Sequence, residues 1–306
     1  MAESNNHQDR EIVSSRVFHM PREAIFKAFA DKKQLGEWWG PHGFRNTIHA
    51  IDYSPGGRWK FTMHGPDGTD YLNECEFVEY VEPVRVIFDH LQPVHGFRMT
   101  MTFDEQDQKT KLRWAMLFES KDECQRIQSY VTIANEQNFE RLERHLAHVT
   151  GESISTSTSA NEIRVSRVYD APRDLVFDVW TDPKHLAHWW GPNGFSISTH
   201  GFQFQPGGVW QFDMHGPDGR DYPNRIRYTE IVRPTRLVYS HGGEPNVEKD
   251  LFNTVVTFEE SDDKTYLTMK ATFANAEERD RVIRDYGAAE GGKQTLERLG
   301  RYIASQ

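Results

Sequence analysis

The sequence predicts an α+β protein in which one fold occurs twice along the chain. Three observations lead to this prediction: a long internal repeat, runs that alternate between apolar and polar residues, and an apolar helical stripe that closes each repeat. Each copy is expected to be a curved antiparallel sheet wrapped around a long C-terminal helix, with two short helices after the first strand.

The repeat is clearest around two tryptophan pairs, Trp38-Trp39 and Trp189-Trp190, each followed by Gly-Pro. With an offset of 151, residues 38–71 and 189–222 are identical at 20 of 34 positions. The shared letters include Pro-Gly-Gly and Met-His-Gly-Pro-Asp-Gly. Because a repeat of this length exceeds the units of solenoid proteins, each copy is expected to fold as a separate domain.

The predicted domains are residues 8–149 and 162–306. Residues 150–161 are rich in serine and threonine and almost free of apolar side chains, which is typical of a flexible linker. Residues 1–10 are predicted to be disordered. The offset between the copies grows along the chain, which places extra residues of the second copy near 242–245.

The first copy is expected to begin with a strand over residues 11–19 and to continue with two short helices. Pro21 with an acidic residue close behind is typical of a helix start, and Gly40-Pro41 ends the second helix just after the tryptophan pair. The second copy repeats the helix start at Pro172 and the ending at Gly191-Pro192.

The residues after the helices alternate with a period of two. The apolar members of the first such run are Trp59, Phe61 and Met63 in one copy and Trp210, Phe212 and Met214 in the other. Gly-Pro-Asp-Gly then predicts a hairpin turn. Further alternating runs span 71–81, 84–90, 97–103 and 112–118. Regular alternation indicates an antiparallel sheet with one buried face.

A long helix with an apolar stripe closes each copy. The stripe consists of Ile127, Tyr130, Val131, Ala134, Leu142 and Leu146 in the first copy, and of Val282, Tyr286, Ala289, Leu296, Leu299 and Ile303 in the second. The predicted order of elements is therefore a strand, two helices, six strands and one long helix.

The composition disfavours membrane and nucleic-acid proteins. The mean hydropathy is −0.73, and no apolar run reaches the ~20 residues that a membrane span needs. A net charge of −10 argues against nucleic acid and anionic membranes as partners. The N-terminus has no signal-peptide pattern, so a cytoplasmic location is expected. Cys75 and Cys124 are expected to be core thiols, and no metal or cofactor site is predicted.

The letters Trp-Trp-Gly-Pro, the run Pro-Gly-Gly-x-Trp-x-Phe-x-Met-His-Gly-Pro-Asp-Gly and the closing Leu-Glu-Arg-Leu resemble the SRPBCC or START-like superfamily. Within it, the chain is similar to the family of the activator of the heat-shock protein 90 ATPase, as two tandem copies of the C-terminal-type domain. The resemblance implies a helix-grip fold with a cavity between the sheet and the long helix. Such cavities hold lipids, polyketides or other apolar ligands in various members.

The resemblance leads to three functional hypotheses. The first is a protein that binds a hydrophobic small molecule, chiefly in its second domain. The second is a co-chaperone-like interaction protein of the stress response, whose partner is a chaperone. The third is a cyclase-like or self-protective enzyme.

Differences between the copies predict a roomier pocket in the second domain. Trp114 and Met116, on the inward face of the last strand, correspond to Met269 and Ala271, so bulk is removed at two central positions. Gly291-Gly292 interrupts the final helix of the second copy, which predicts a bend or the close approach of another element.

Consecutive residues at a helix end point about 100° apart. Trp39 and Trp190 are therefore expected to pack on the sheet, while Trp38 and Trp189 line the cavity mouth with Phe44 and Phe195 nearby. The alternative is that all six are ordinary core aromatics. The residues predicted to line the cavities are Trp38, Trp59 and Trp114 in the first copy, and Trp189, Phe195, Trp210, Phe212, Met214, Tyr222, Tyr239, Met269, Ala271, Tyr286 and Gly291 in the second.

No local sequence motif of a hydrolase, metalloprotease or nucleotide-binding enzyme is present. The weak candidates for a general base are His64, His215, His90 and His241. The first two are expected at a strand end and the last two on an inward strand face, where an imidazole can act near neutral pH. Tyr71 and Tyr222 are candidate donors to a ligand oxygen. A histidine beside a hairpin is more often structural.

Two outward positions differ in the sign of their charge between the copies: Glu74 and Glu76 correspond to Arg225 and Arg227. This inversion predicts complementary faces for a contact between the domains or between two chains. The alternative is that each face is simply solvated.

Overall fold

The computed structural model describes residues 8–92, 95–107, 109–149, 154–242, 250–261 and 263–306. The chain divides into two units, Met1–Thr150 and Gly151–Gln306, which are called the first and second domain below. Residues 1–7 of the segment predicted to be disordered lie outside the described residues. So do residues 243–249, which include most of the site predicted for the extra residues of the second copy.

The first domain has the order of elements that the sequence predicts. They are β1 (Glu11–Phe18), α1 (Arg22–Ala30), α2 (Lys32–Trp38), β2 (Arg45–Ile51), β3 (Arg58–His64), β4 (Asp70–Val81), β5 (Arg85–Gln92), β6 (Phe97–Gln106), β7 (Lys109–Phe118) and α3 (Lys121–Val149). The strands lie in the order β1-β7-β6-β5-β4-β3-β2 and every neighbouring pair is antiparallel.

The second domain repeats this fold with one additional strand. Its elements are β8 (Ile154–Ser159), β9 (Glu162–Tyr169), α4 (Arg173–Thr181), α5 (Pro183–Trp189), β10 (Ser196–Phe202), β11 (Val209–His215), β12 (Asp221–Val232), β13 (Arg236–Gly242), β14 (Asp250–Ser261), β15 (Lys264–Phe273), α6 (Ala276–Tyr286) and α7 (Ala288–Ile303). Its strands lie in the antiparallel order β10-β11-β12-β13-β14-β15-β9-β8.

Strand β8 lies inside the segment for which the sequence predicts a flexible linker. Ile154–Ser159 pairs with β9 as one arm of an antiparallel hairpin. The segment has few apolar residues, but its threonines suit a pleated backbone, and pairing with β9 supplies the backbone hydrogen bonds. The linker prediction is therefore wrong for these residues.

Both sheets are bulged at the same place. In β4 the register shifts between Phe77 and Glu79, and in β12 it shifts between Tyr228 and Glu230. A bulge bends its strand and increases the local twist, so each sheet curves toward its final helix. The α+β fold predicted for each copy, a curved antiparallel sheet around a C-terminal helix, is confirmed.

The final helix differs between the domains. α3 is continuous over 29 residues, whereas the second domain has two helices separated by Gly287, which adopts the left-handed conformation with φ of 62°. A left-handed glycine ends a helix at little steric cost. The predicted bend is thus present, but it lies before the paired glycines, which are both inside α7.

The first tryptophan of each pair is held beneath the short helix that precedes it. Trp38 and Trp189 are 1% and 0% exposed. The Trp38 Nε1–H donates to the carbonyl of Ala28 at 2.9 Å, and the Trp189 Nε1–H donates to the carbonyl of Val179 at 3.2 Å. These rings therefore lock α2 onto α1 and α5 onto α4.

The Gly-Pro corner after each pair is held by an arginine of the final helix. Arg298 donates through Nη1 to the carbonyls of Gly191, Pro192 and Phe195 at 2.7–2.9 Å. In the first domain Arg141 makes the same kind of contact with the carbonyls at the end of α2 and in the corner. Since the last carbonyls of a helix have no partner within it, the guanidinium satisfies groups that would otherwise be left unpaired.

Replacing Arg298 with lysine is expected to lower the free energy of unfolding of the second domain by about 1.5 to 3 kcal/mol, because lysine has one nitrogen and cannot bond both the corner and the His188 carbonyl as Nη1 and Nη2 of Arg298 do. Urea unfolding followed by tryptophan fluorescence measures this loss. Arg301→Lys is the matched control, since Arg301 is exposed and, among the described residues, bonds Asn193 alone; it is expected to change stability by less than about 0.5 kcal/mol. Equal effects of the two variants would contradict the role of Arg298.

The paired glycines of α7 have different surroundings. A Cβ atom at Gly292 would lie 3.0 Å from the Val165 Cγ2 and 3.4 Å from the Met269 Cε, whereas one at Gly291 would lie no closer than 4.0 Å to Pro192. Gly292 therefore lets the helix approach the sheet closely, which is one of the two outcomes predicted for this pair.

Gly291→Ala is expected to stabilise the second domain by about 0.5 to 1 kcal/mol, because alanine favours the helix and meets no obstacle. Gly292→Ala is expected to lack this gain and to be destabilising, since the added methyl group pushes on Val165 and overpacking costs about 1 to 3 kcal/mol. Unfolding midpoints of the two variants test the difference. A Gly292→Ala protein as stable as Gly291→Ala would contradict the close approach.

Candidate functional site

The candidate site is the inner face of the second sheet beside α6, which contacts β15 and β9. This face carries Met269, Ala271 and Phe252, all half-buried. Val282 and Ile283 of α6 pack against the same core but are only partly buried. No side chain of α6 is fully buried. An apolar surface in this part of the domain thus remains partly accessible.

The first domain fills the corresponding region with its own side chains. Trp114 is 1% exposed and Met116 is 6% exposed. The Trp114 ring packs on Phe139 of α3 with ring centroids 4.7 Å apart. α3 also buries Cys124 and Val131 in the half of the helix that corresponds to α6. Met269 and Ala271, the smaller side chains of the second copy, therefore stand at positions that lie beneath the final helix in the first domain.

A histidine and an asparagine form a polar pair on this inner face. The Asn224 side-chain amide N–H donates to the backbone carbonyl of Tyr222 at 2.8 Å, so its Oδ1 points toward His241. The two side chains meet at 2.7 Å between Asn224 Oδ1 and His241 Nε2. Because an amide oxygen only accepts, Nε2 carries the proton and Nδ1 has a free lone pair. The imidazole stacks on Phe252 at 4.8 Å.

Burial lowers the pKa of His241 from 6.5 to about 4. The imidazole is therefore neutral at physiological pH and accepts a hydrogen bond through Nδ1. Nδ1 has no hydrogen-bond partner within the part of the chain that the structure describes. A neutral acceptor among apolar side chains is suited to orienting a ligand that carries a hydroxyl or N–H group.

The first domain has the same pair. His90 Nε2 lies 2.9 Å from Asn73 Oδ1, and its Nδ1 lies 2.9 Å from the carbonyl oxygen of His95. The ring stacks on Phe97 at 4.7 Å, and burial lowers the pKa of His90. Both ring nitrogens of His90 are thus occupied within the domain. His90 and His241 were predicted on an inward face, and the structure places them there.

The other two candidate histidines lie on the outward face of an edge pair of strands. His215 Nδ1 is 2.6 Å from Asp221 Oδ1, and its Nε2 is 2.8 Å from the Ser198 hydroxyl oxygen. His64 makes the same contacts with Asp70 and Thr47. The partners are exposed strand residues, so these contacts pair neighbouring strands and do not enclose a ligand. His64 and His215 do not belong to the candidate site.

Most aromatic residues predicted to line the cavities belong to the closed core. Less than 3% of each of these residues is exposed: Trp38, Trp59, Trp114, Trp189, Trp210, Phe212 and Tyr239. Trp39 and Trp190 pack on the sheet as predicted, with ring centroids 5.1 Å from Trp59 and 4.9 Å from Trp210. The prediction that Trp38 and Trp189 line a mouth is wrong, because both rings lie beneath a helix.

Four of the predicted lining residues lie outside β13–β15: Phe195 precedes β10, Met214 lies on β11, Tyr222 on β12 and Gly291 in α7. Met214 and Phe195 are half-buried, and Phe195 packs on Tyr222 with ring centroids 5.9 Å apart. The Tyr222 hydroxyl donates to Asp218 Oδ2 at 2.8 Å. Gly291 faces Pro192.

Tyr286 is wrongly predicted as a buried residue of the stripe, since it is 68% exposed at the end of α6. Tyr130 of the first domain is 65% exposed and contradicts the predicted stripe in the same way. Both match the helical period, but each lies on the flank of its helix where the aromatic ring and its hydroxyl can stay in water.

The charges predicted to form complementary faces are compensated mostly within their own domains. Glu74 and Glu76 both pair with Arg58, with N–O distances of 3.4 Å and 2.7 Å. Arg225 is 4% exposed and its Nη2 lies 3.1 Å from Asp250 Oδ1. The prediction is therefore wrong for Arg225, which is buried, whereas for Glu74 and Glu76 the matching of faces stays a prediction. Arg227 is exposed, as predicted.

No group of three or more histidine, cysteine, aspartate or glutamate side chains suited to a metal ion occurs among the described residues. Cys75 and Cys124 are buried free thiols, and burial raises the pKa of both. In the described part of the chain, no helix has the length and apolar character required to cross a membrane.

The fold and its inner face define a START-like, helix-grip domain in two tandem copies. The family model described as "Activator of Hsp90 ATPase homolog 1-like protein" matches residues 19–147 and 170–304, and the chain belongs to this family.

Several solved structures are similar to this chain. A protein from Arthrobacter aurescens is 24% identical with a TM-score of 0.45, over 48% of this chain and 88% of that one. Protein Ms6760 from Mycobacterium smegmatis is 25% identical with a TM-score of 0.44, over 47% of this chain and 92% of that one. The di-domain ARO/CYC BexL from the BE-7585A biosynthetic pathway is 13% identical with a TM-score of 0.39, over 97% and 99% of the two chains. No curated protein matches the chain significantly.

The depressed pKa of His241 predicts a pH dependence of stability. Between 6.5 and about 4 the unfolded chain binds a proton at this residue that the folded domain does not. The free energy of unfolding is therefore expected to fall as the pH decreases through this window, by up to about 1.4 kcal/mol per pH unit from this residue. His241→Gln should show a shallower pH dependence in urea unfolding. An NMR titration of the His241 ring with a midpoint near 6.5 would contradict the burial effect.

Proposed function

We propose that the chain binds a hydrophobic small molecule on the inner face of its second domain, between β13–β15 and α6. The observation that carries this proposal is the difference between the domains. Where the first domain buries Trp114 and Met116, the second has half-buried Met269 and Ala271 beneath a helix that is broken at Gly287.

The chemistry of the inner face favours an apolar molecule with one hydrogen-bond donor. Phe252, Met269 and Ala271 supply apolar surface, and burial of apolar ligand surface contributes roughly 25 cal/mol per Å². The neutral His241 supplies an acceptor at Nδ1, held in orientation by Asn224. A hydroxyl or N–H group on an aromatic or aliphatic skeleton fits both requirements.

Binding is a better account of His241 than acid–base catalysis. The group that contacts Nε2 is an amide oxygen, which orients the imidazole but adds no negative charge beside it. With a pKa of about 4, the imidazole is a weak base at neutral pH. The cyclase-like and co-chaperone-like hypotheses rest on the family resemblance, and no contact described above favours either.

The proposal is tested with N-phenyl-1-naphthylamine, a neutral apolar probe whose fluorescence rises when it is bound. The unmodified chain should bind it saturably. The double variant Met269→Trp/Ala271→Met restores the side chains of the first domain and is expected to weaken binding about tenfold or more, because the added atoms occupy the ligand's place.

Asn253→Met is the matched control, because Asn253 is exposed and lies beside Phe252 on β14. It adds an apolar side chain outside the site and should leave the affinity unchanged. Unchanged probe affinity in the filled double variant would overturn the proposal, and so would the absence of saturable binding by the unmodified chain.

A further inference from the structure

A buried ion-pair cluster of the first domain is lost in the second, while its arginine is kept. In the first domain the Arg16 side chain is 2% exposed on the inward face of β1. Its Nη2 lies 2.7 Å from Glu136 Oε2, and its Nη1 lies 3.4 Å from Glu143 Oε2. Both carboxylates belong to α3, so the cation is neutralised within the domain.

Arg167 takes the position of Arg16 in the second domain. Arg16 faces Leu112 across the β1–β7 pair, and Arg167 faces Leu267 across the β9–β15 pair. Leu112 and Leu267 are both fully buried on the inward face of the last strand. The two arginines therefore point toward the final helix from the same place in the fold.

The final helix of the second domain carries neither carboxylate. Aligning the closing Glu-Arg-Leu of the two copies places Lys293 at the position of Glu136 and Gly300 at the position of Glu143. The structure agrees with this alignment, because a Cβ atom at Gly300 would lie 2.7 Å from the Arg167 Nη2. One acid is thus replaced by a base and the other by a residue without a side chain.

Arg167 is half-buried against this part of α7. Its guanidinium lies over the Tyr169 ring at 5.5 Å, and its Nε is buried without a hydrogen-bond partner. Across the described ranges, no carboxylate pairs with Arg167 or with Lys293. Arg167 has thus lost both of the acids that neutralise Arg16 in the first domain, and a lysine stands at the position of one of them.

We propose that Arg167 and Lys293 form a binding site for a small oxyanion, namely the carboxylate or phosphate group of a small molecule. The anion takes the place that Glu136 occupies in the first domain. The planar guanidinium donates two parallel hydrogen bonds to such a group, and the ammonium of Lys293 adds a second positive charge. Gly300, which has no side chain, lets the guanidinium lie against the backbone of α7.

This site is separate from the inner face proposed to bind an apolar molecule. Arg167 faces Leu267, four positions along β15 from Ala271. Between these positions α7 lies close to the sheet at Gly292. The oxyanion site and the apolar site can therefore be tested independently on the same protein.

The experiment is calorimetric titration of the full chain with inorganic phosphate and, separately, with acetate, at constant ionic strength. At least one of the two anions is expected to bind saturably, and their relative affinity identifies the preferred group. Arg167→Gln should weaken this binding about tenfold or more, because a charge-assisted hydrogen-bond pair is lost. Lys293→Glu restores the acid of the first domain and should abolish anion binding while raising the unfolding midpoint of the ligand-free second domain.

Lys184→Glu makes the same change of charge at an exposed position of α5 and should leave anion binding intact. Lys293→Gln, a milder change, should weaken binding several-fold and keeps the test valid if Arg167→Gln unfolds. Failure of both anions to bind the unmodified chain would overturn the proposal, as would an equal loss in Lys184→Glu. Binding of the neutral naphthylamine probe should be unchanged in Arg167→Gln, so the two proposals succeed or fail separately.

Discussion

The contact on which each domain depends is the one between an arginine of the final helix and the Gly-Pro corner. Arg141 and Arg298 each donate to several backbone carbonyls of this corner. The carbonyls at a helix end need partners, and the five donors of a guanidinium supply them. The contact sets the distance between the short helices and the final helix, and hence the place of the final helix over the sheet.

The tryptophan pairs are explained by the same corner. The first ring of each pair lies beneath the preceding helix, and the second packs against a tryptophan of the sheet. Two successive tryptophans therefore connect the layer of short helices to the sheet. Gly191, with φ of 93°, then turns the chain in a conformation that other residues rarely adopt. Both copies retain this arrangement, which is why the repeat is strongest there.

The copies differ in the layer between the final helix and the sheet. In the first domain Asn135 of α3 donates to the Ser14 hydroxyl of β1 at 3.1 Å. In the second domain Gly292 and Val165 hold these positions, and the helix backbone lies close to the sheet. The two domains thus share a fold but differ between helix and sheet: the first has a buried hydrogen bond there, and in the second the helix packs closely on an apolar side chain.

The order of elements could be predicted from sequence because apolar alternation, helical stripes and the Gly-Pro corner are local patterns. Pairings between distant residues could not. β8 was missed because its partner strand, not its composition, stabilises it. The place of Trp38 was wrongly predicted because the rotation per helical residue does not apply at this helix end, where Trp39 is the C-cap with extended backbone, φ of −62° and ψ of 135°.

The candidate site was partly predictable. His241, Met269 and Ala271 were identified from inward alternation and from the difference in bulk between the copies. Asn224 was not, although Asn73 and Asn224 occupy the same inward strand position of both copies, and a repeated polar residue on a buried face is a signal of a hydrogen-bonded pair. Arg141 and Arg298 were also not identified, although both copies carry them within a repeated Glu-Arg-Leu.

A filled core and an accessible inner face make opposite demands on one domain. Each large apolar side chain that is fully buried contributes about 1.5 to 3 kcal/mol, so exchanging the buried Trp114 for the half-buried Met269 gives up stability for accessible surface. Because each domain has its own core, the second can lose this packing while the first retains it. Duplication therefore separates the two demands: the first copy keeps Trp114 and Met116 buried, and the second keeps the same frame with a half-buried inner face, which is the site proposed for the ligand.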